Sequence, residues 1–127
     1  MIVKKLDELE DEGRVVSGET WISKRLLLKK EGMGFSMHDT TLHEGTETHM
    51  HYKNHLEAVY CIEGRATIEE VDNGKVHTIE PGTVYALNEH DKHILRVQET
   101  FRAICVFNPP LVGPETHGPD GAYPLLE

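Results

Sequence analysis

Five of the nine histidines (His38, His43, His49, His51 and His55) fall within eighteen residues, a density that invites metal binding or proton transfer. His49 and His51 alternate as on a strand, which would turn both imidazoles to one side. Thr46-Glu47-Thr48 before them and Lys53-Asn54 after them make the stretch polar, so both are expected at a rim rather than on a metal. A second set is spread more widely. If residues 56–62, 83–87, 93–97 and 102–107 are strands, the odd positions of each share a face. Those faces carry Glu57 with Val59 and Cys61, Tyr85 with Thr83 and Leu87, His93 with Leu95 and Val97, and Ala103 with Cys105 and Phe107. Each alone has a bland reading: a solvent-facing Glu, a core Tyr, a turn His after Asp91-Lys92. On one parity, among apolar partners, Glu57, Tyr85 and His93 would converge on a single cavity, the pattern of a small-molecule site.

The elements that must place these residues are short strands. Turn residues (Glu31-Gly32, Glu44-Gly45, Glu63-Gly64, Asp72-Asn73-Gly74, Pro81-Gly82 and Glu89-His90-Asp91) separate eight candidate strands, at 23–29, 35–42, 56–62, 66–71, 75–79, 83–87, 93–97 and 102–107. Asp72-Asn73-Gly74 is the strongest hairpin signal. Only Leu6-Asp7-Glu8-Leu9-Glu10, closed by Gly13, offers a helical turn. The expected fold class is therefore all-β, a small antiparallel barrel or jelly roll, in one domain spanning 1–127. Residues 108–127 hold five of the six prolines and cannot pair as a central strand. This tail also carries Glu115, His117 and Tyr123, and it is expected to fold over the barrel mouth as a lid.

Composition excludes several partners. Thirteen Lys and Arg against 22 Asp and Glu give a net charge of −9 without a basic run, so neither nucleic acid nor an anionic membrane is expected as a partner. Apolar runs such as Leu26-Leu27-Leu28 stay far below the ~20 residues of a membrane span. The N-terminal stretch turns acidic where a signal peptide would be apolar, and a cytoplasmic location is expected. Cys61 and Cys105 form no C-x-x-C and read as reduced core thiols.

Glu57, six residues and then Gly64, with Pro81-Gly82 followed after two residues by Tyr85, resembles the paired motifs of the cupin superfamily. The His-x-His pair is displaced, and Tyr85 stands where the second motif has His. Longer strings are more specific: Gly45-Thr46-Glu47-Thr48-His49, the run from His55 to Gly64, His90-Asp91-Lys92-His93, the run from Cys105 to Pro110, and Asp120-Gly121-Ala122-Tyr123-Pro124. In that order they resemble the ectoine synthase family over essentially the whole chain. The resemblance implies a homodimeric, iron-dependent cupin that closes N-γ-acetyl-L-2,4-diaminobutyrate into ectoine, a compatible solute of salt-stressed bacteria, with loss of water. It implies Glu57, Tyr85 and His93 as metal ligands, the trio that strand parity selects. It implies Trp21, Arg25, Thr40, Tyr52, Phe107, Glu115 and His117 as substrate-binding positions. Position 38 varies in the family, with Asn in some members, and here it is His38.

That chemistry asks for a Lewis acid on a poorly electrophilic amide. A carboxylate, a phenol oxygen and an imidazole suit Fe(II) or Mn(II), with zinc as a further substitute. Tyr52, His55 and Glu115 are the expected catalytic residues for proton traffic. Arg25 suits a substrate carboxylate, and Trp21 and Phe107 would wall the cavity. Loss of water favours a closed pocket, so removal of the tail before Glu115 is expected to leave a folded protein with little activity. A non-catalytic cupin sensor lacks support, because such sensors usually carry a DNA-binding segment. A cupin oxygenase or isomerase would want His at position 85.

Overall fold

Two strands span the molecule, and the others are arranged along them. The structure, a computed structural model, describes residues 1–126. In chain order the strands are β1 (Val15–Ser17), β2 (Trp21–Leu27), β3 (Ser36–Leu42), β4 (Glu47–Met50), β5 (Leu56–Glu70), β6 (Val76–Ile79), β7 (Val84–Leu87) and β8 (His93–Asn108). Short 3-10 turns occupy Leu6–Glu8 and Lys29–Glu31. All pairings are antiparallel. β5 and β8 pair from Leu56 opposite Asn108 to Glu70 opposite His93. The first half of β5 and the second half of β8 are flanked by β7 on one side and by β3, β2 and β1 on the other. The remaining halves are flanked by β6 and β4. The two long strands therefore belong to both walls of a jelly roll.

The count of eight matches the sequence reading, but the members differ. Residues 56–62 and 66–71, expected as two strands, are one strand with register shifts around Glu63, Gly64 and Arg65. Gly64 lies at φ +83, and a Cβ there would collide with the Thr100 carbonyl, so this is a glycine bulge rather than a turn. Residues 93–97 and 102–107 are likewise continuous, with Gln98, Glu99 and Thr100 exposed at the bend. β1 lies outside the sequence reading because it has only three residues, and β4 because it is short and polar. The Asp72-Asn73-Gly74 hairpin is present: the Lys75 amide donates to Asn73 Oδ1 at 2.8 Å and Gly74 has φ +73.

Side-chain parity sorts the interior. On β8, His93, Leu95, Val97, Phe101, Ala103, Cys105 and Phe107 are all buried. On β5 the inward set is Glu57, Val59 and Cys61 before the bulge, then Ala66 and Ile68 after it. That one-residue change of phase is what a bulge produces. From β2 come Trp21, Ser23 and Arg25.

Beyond Asn108 the described residues form no strand or helix, yet they are bound to the barrel. The Lys29 amide donates to the Leu111 carbonyl at 2.8 Å, and the Leu111 amide donates to Ser36 Oγ at 2.9 Å. The Arg25 guanidinium donates to the carbonyls of Gly113 and Glu115. The Glu115 carboxylate in turn accepts the amides of Val112 and Gly113, both at 2.7 Å. Farther on, the His51 amide donates to the Gly121 carbonyl at 3.1 Å, and Asn54 donates to the Tyr123 carbonyl at 3.0 Å. Leu111, Glu115, Ala122 and Tyr123 are buried.

Candidate active site

A cavity of about 30 Å³ lies between the bent walls and the tail. Of the residues singled out from the sequence, Trp21, Thr40, Tyr52, Glu57, Tyr85, Phe107 and His117 line it. Ser23, Cys105 and Tyr123 line it as well. Ser23 shares its face with Trp21, and Cys105 shares one with Phe107, so parity contained that signal. Tyr123 belongs to the tail, where no periodicity applies.

Glu57 and Tyr85 come from adjacent strands. Val59 is opposite Tyr85 and Glu57 is opposite Leu87, which makes the two site residues diagonal neighbours on the inner face. Glu57 is buried, and burial pushes its carboxyl up to about 8, against a downward pull from the Cys105 thiol. A carboxylate in such surroundings is costly until a cation reaches it. Burial likewise pushes the Tyr85 phenol well above its ordinary range.

His93 stands at the start of β8 with its ring centroid 6.5 Å from that of Tyr85. It faces a groove on the far side of Tyr85 rather than lining the cavity itself. Its Nδ1 is 2.9 Å from the Asp91 carbonyl, which can only accept, so Nδ1 carries the proton. Burial lowers the His93 pKa, against the pull of Asp91, and leaves Nε2 as a lone pair. That Nε2 is buried without a partner. A fixed tautomer with an unused inner lone pair is how a metal-binding imidazole is prepared. Glu57, Tyr85 and His93 could thus hold a divalent metal through oxygen, oxygen and nitrogen. The histidines expected at the rim lie apart: His49 is exposed and bonded to Glu47 at 2.8 Å, and His51 is half-buried.

Tyr52, in the β4–β5 connection, is the centre of an aromatic cluster. Its ring lies 5.3 Å from Phe107, 5.2 Å from Tyr123 in a stack, and 6.0 Å from His93. Its hydroxyl is 2.7 Å from His117 Nε2. Burial, then Arg25 and His93, push His117 down to about 4, so this imidazole is neutral. The Tyr52–His117 pair thus lies within the reach that proton transfer requires, in the cavity wall.

Arg25, His55 and Glu115 do not line the cavity. Arg25 is fully buried behind Tyr123, with Cζ 5.6 Å from that ring's centroid; its two terminal guanidinium nitrogens donate to the tail, and its Nε lies 3.5 Å from Ser23 Oγ. The Glu115 carboxylate is held by two tail amides and lies 3.8 Å from Arg25. His55 packs edge-on against Phe107 and Tyr123. His38 is also buried, with Nε2 2.8 Å from Ser36 Oγ, and burial pushes it down to about 3.

Comparison with known proteins decides the family. The ectoine synthase family profile matches residues 1–127. The chain belongs to the ectoine synthase family. It is 58% identical to an L-ectoine synthase from Desulfatibacillum aliphaticivorans, covering 100% of this chain and 99% of the relative. The crystal structure of ectoine synthase from P. lautus superposes with a TM-score of 0.85 at 55% identity, over 89% of this chain and 81% of that one. A cupin domain of an XRE family transcriptional regulator from Enterobacter cloacae shares the fold alone. Its TM-score is 0.59 at 18% identity, over 72% of this chain and 99% of that domain. The ectoine synthase fold described here is thus a cupin barrel, as its motifs anticipated.

The Glu57 environment has a pH signature. With a folded pKa of about 8 against an ordinary 4.5, the carboxyl keeps its proton in the metal-free native chain at neutral pH and loses it on unfolding. Its stabilising contribution is complete below the unfolded value and is lost as pH rises through the folded one. In urea titrations between about pH 4.5 and 8, the metal-free protein should lose stability relative to Glu57→Gln by on the order of a few kcal/mol. Parallel pH profiles for the two would show that the carboxyl is not desolvated.

Proposed function

We propose that this chain is an ectoine synthase, a lyase that closes N-γ-acetyl-L-2,4-diaminobutyrate to L-ectoine with release of water. In this reading it acts in the cytoplasm, as the last step in making a compatible solute under salt stress. The family match across residues 1–127 carries the reading. The closed cavity, walled by aromatic rings and edged by Glu57, Tyr85 and the Tyr52–His117 pair, supports it.

Glu57, Tyr85 and His93 would hold Fe(II), with zinc or manganese as substitutes. When bound, the metal supplies a Lewis acid for the acetamide carbonyl. The protein's own groups do the rest. Trp21 and Phe107 press the flexible substrate into a folded shape that brings its α-amine to the carbonyl carbon. The amine must lose a proton and the departing oxygen must gain one. Neutral His117 and the Tyr52 hydroxyl, 2.7 Å apart, can pass that proton between Nε2 and the phenol oxygen. Thr40 contributes a hydroxyl to the wall, and Arg25 is the buried cation that a substrate carboxylate would face across the Tyr123 ring. Arg25 and Glu115 also fasten the tail, and His55 props Phe107 and Tyr123. Glu115 and His55 thereby serve catalysis through placement. The fastened tail keeps bulk water from a reaction that releases water.

We also propose that the active form is a homodimer, joined through the outer face of the β3–β8–β5–β7 wall. Cross-strand pairing sets Met37, Val106, Ala58 and Ala86 in one row, and Ile104, Tyr60 and Val84 in the next. Tyr60 and Val84 are 47% and 61% exposed, more than a lone barrel would favour. Arg102, bonded to Asp39 at 2.7 Å and near Glu63, places both signs of charge at the border. A two-fold axis can match such a border to itself.

Anaerobic assay of the Fe(II)-loaded protein should give ectoine, while Glu57→Ala and Tyr85→Ala, still folded by circular dichroism, should lose bound iron and turnover by about a hundredfold or more. Variants with full iron content and turnover would remove these residues from the metal site. Light scattering should give twice the 14.4 kDa chain mass, falling to one chain in Tyr60→Asp. A wild-type mass of one chain would exclude the dimer.

A further inference from the structure

The cavity is too small for the substrate proposed above. Its volume of about 30 Å³ has room for about two waters, so an acetylated diamino acid enters only if a wall moves. Just outside lies a much larger groove of about 610 Å³, between the β1–β2 turn, β4 and the tail. Trp21 and His117 are the residues common to both spaces, with ring centroids 5.2 Å apart, and together they form the partition.

These two residues are held very differently. Trp21 opens β2, and its indole packs so closely on Gly18 that a Cβ there would come within 2.6 Å. His117 belongs to the tail, and its side-chain hydrogen bond is the one to Tyr52. The tail is fastened before it by Arg25 at Gly113 and Glu115, and after it by the His51 amide at Gly121. The Gly118 amide donates to the Ala122 carbonyl and Lys53 donates to Asp120, so Thr116 and His117 are the stretch between the fastenings that can swing aside while they stay in place.

The opposite groove, about 200 Å³ behind Tyr85 and His93, is smaller, and Tyr85, the residue it shares with the cavity, stands on the paired strand β7 rather than on a tail loop. The large groove is also polar along its β1–β2 and β4 banks. Glu19 can face the ammonium group of a diamino acid, and the Thr20 and Thr48 hydroxyls, 2.7 Å apart, supply neutral polar contacts, while Glu47 is engaged by His49.

We infer that this groove is the substrate's entrance and first resting place, and that displacement of His117 admits a zwitterionic, N-acylated diamino acid to the cavity. The inference rests on the ectoine synthase reading. It assigns the approach to the reaction cavity to the groove between the β1–β2 turn, β4 and the tail.

Both native cysteines are buried, at 0% and 5% exposure, so a bulky methanethiosulfonate reagent would find only an introduced thiol. Ser17→Cys on one bank of the groove and Thr116→Cys on the other should turn over normally before labelling. After labelling, kcat/KM should fall by about tenfold or more and return on adding a reductant. Labelled Asn88→Cys, in the opposite groove, should keep its kcat/KM. Full kcat/KM in both labelled groove variants would overturn the entrance, as would loss confined to labelled Asn88→Cys. If wild type itself made no ectoine, the enzyme reading would fail first and the entrance with it, a result distinct from either labelling outcome.

Discussion

The antiparallel pairing of β5 with β8 is the constraint from which the interior follows. It runs from Leu56 opposite Asn108 to Glu70 opposite His93. A slip of β8 by one residue would turn His93, Cys105 and Phe107 outward together and leave Glu57 behind on the inner face, because strand side chains alternate with period two. Buried Val59, Leu95, Ala103 and Phe101 penalise that slip heavily. The bulge at Gly64 lets both strands bend at one level, so the same two strands contribute to both walls. Register, curvature and site geometry are therefore one problem with one solution.

That geometry produces an electrostatic tension. Glu57 is placed among Tyr52, Tyr85 and Cys105, where a bare carboxylate is poorly solvated, and the His93 lone pair is buried without a donor. The Cys105 thiol only partly offsets the burial of Glu57, and a divalent cation would relieve both groups. The tail resolves a different buried charge. Arg25 lies wholly inside, its pKa lowered by burial, and still needs acceptors for its fixed fork of donors. The carbonyls of Gly113 and Glu115 meet that need, which ties an otherwise irregular segment to the barrel. Closure of the cavity is thus a consequence of satisfying one guanidinium.

Much of this was legible in the residues. Parity put Glu57 and Tyr85 on the face that lines the cavity and His93 on the buried face of β8, but it did not show that His93 would face the groove behind Tyr85. The continuity of β5 and β8 was not legible, because Glu63-Gly64 suits a bulge as well as a turn. β4 does alternate, but its inward residues are Thr48 and Met50, so a polar side chain masks the hydrophobic signal. The centrality of Tyr52 had no local cue, as it lies in a connection and gains its ring neighbours His93, Phe107, His117 and Tyr123 from β8 and the tail. Arg25 and Glu115 carry charges that suggest contact with a ligand. Only the fold reveals that they engage the tail backbone.

The most direct test of this account is X-ray absorption at the iron edge of the Fe(II)-loaded protein. Ligation by Glu57, Tyr85 and His93 predicts a nitrogen and oxygen shell containing a single imidazole and no sulfur. Two or more imidazoles would shift the metal to histidines such as His49 and His51. A sulfur ligand would shift it to Cys105. Either result would contradict the site described here.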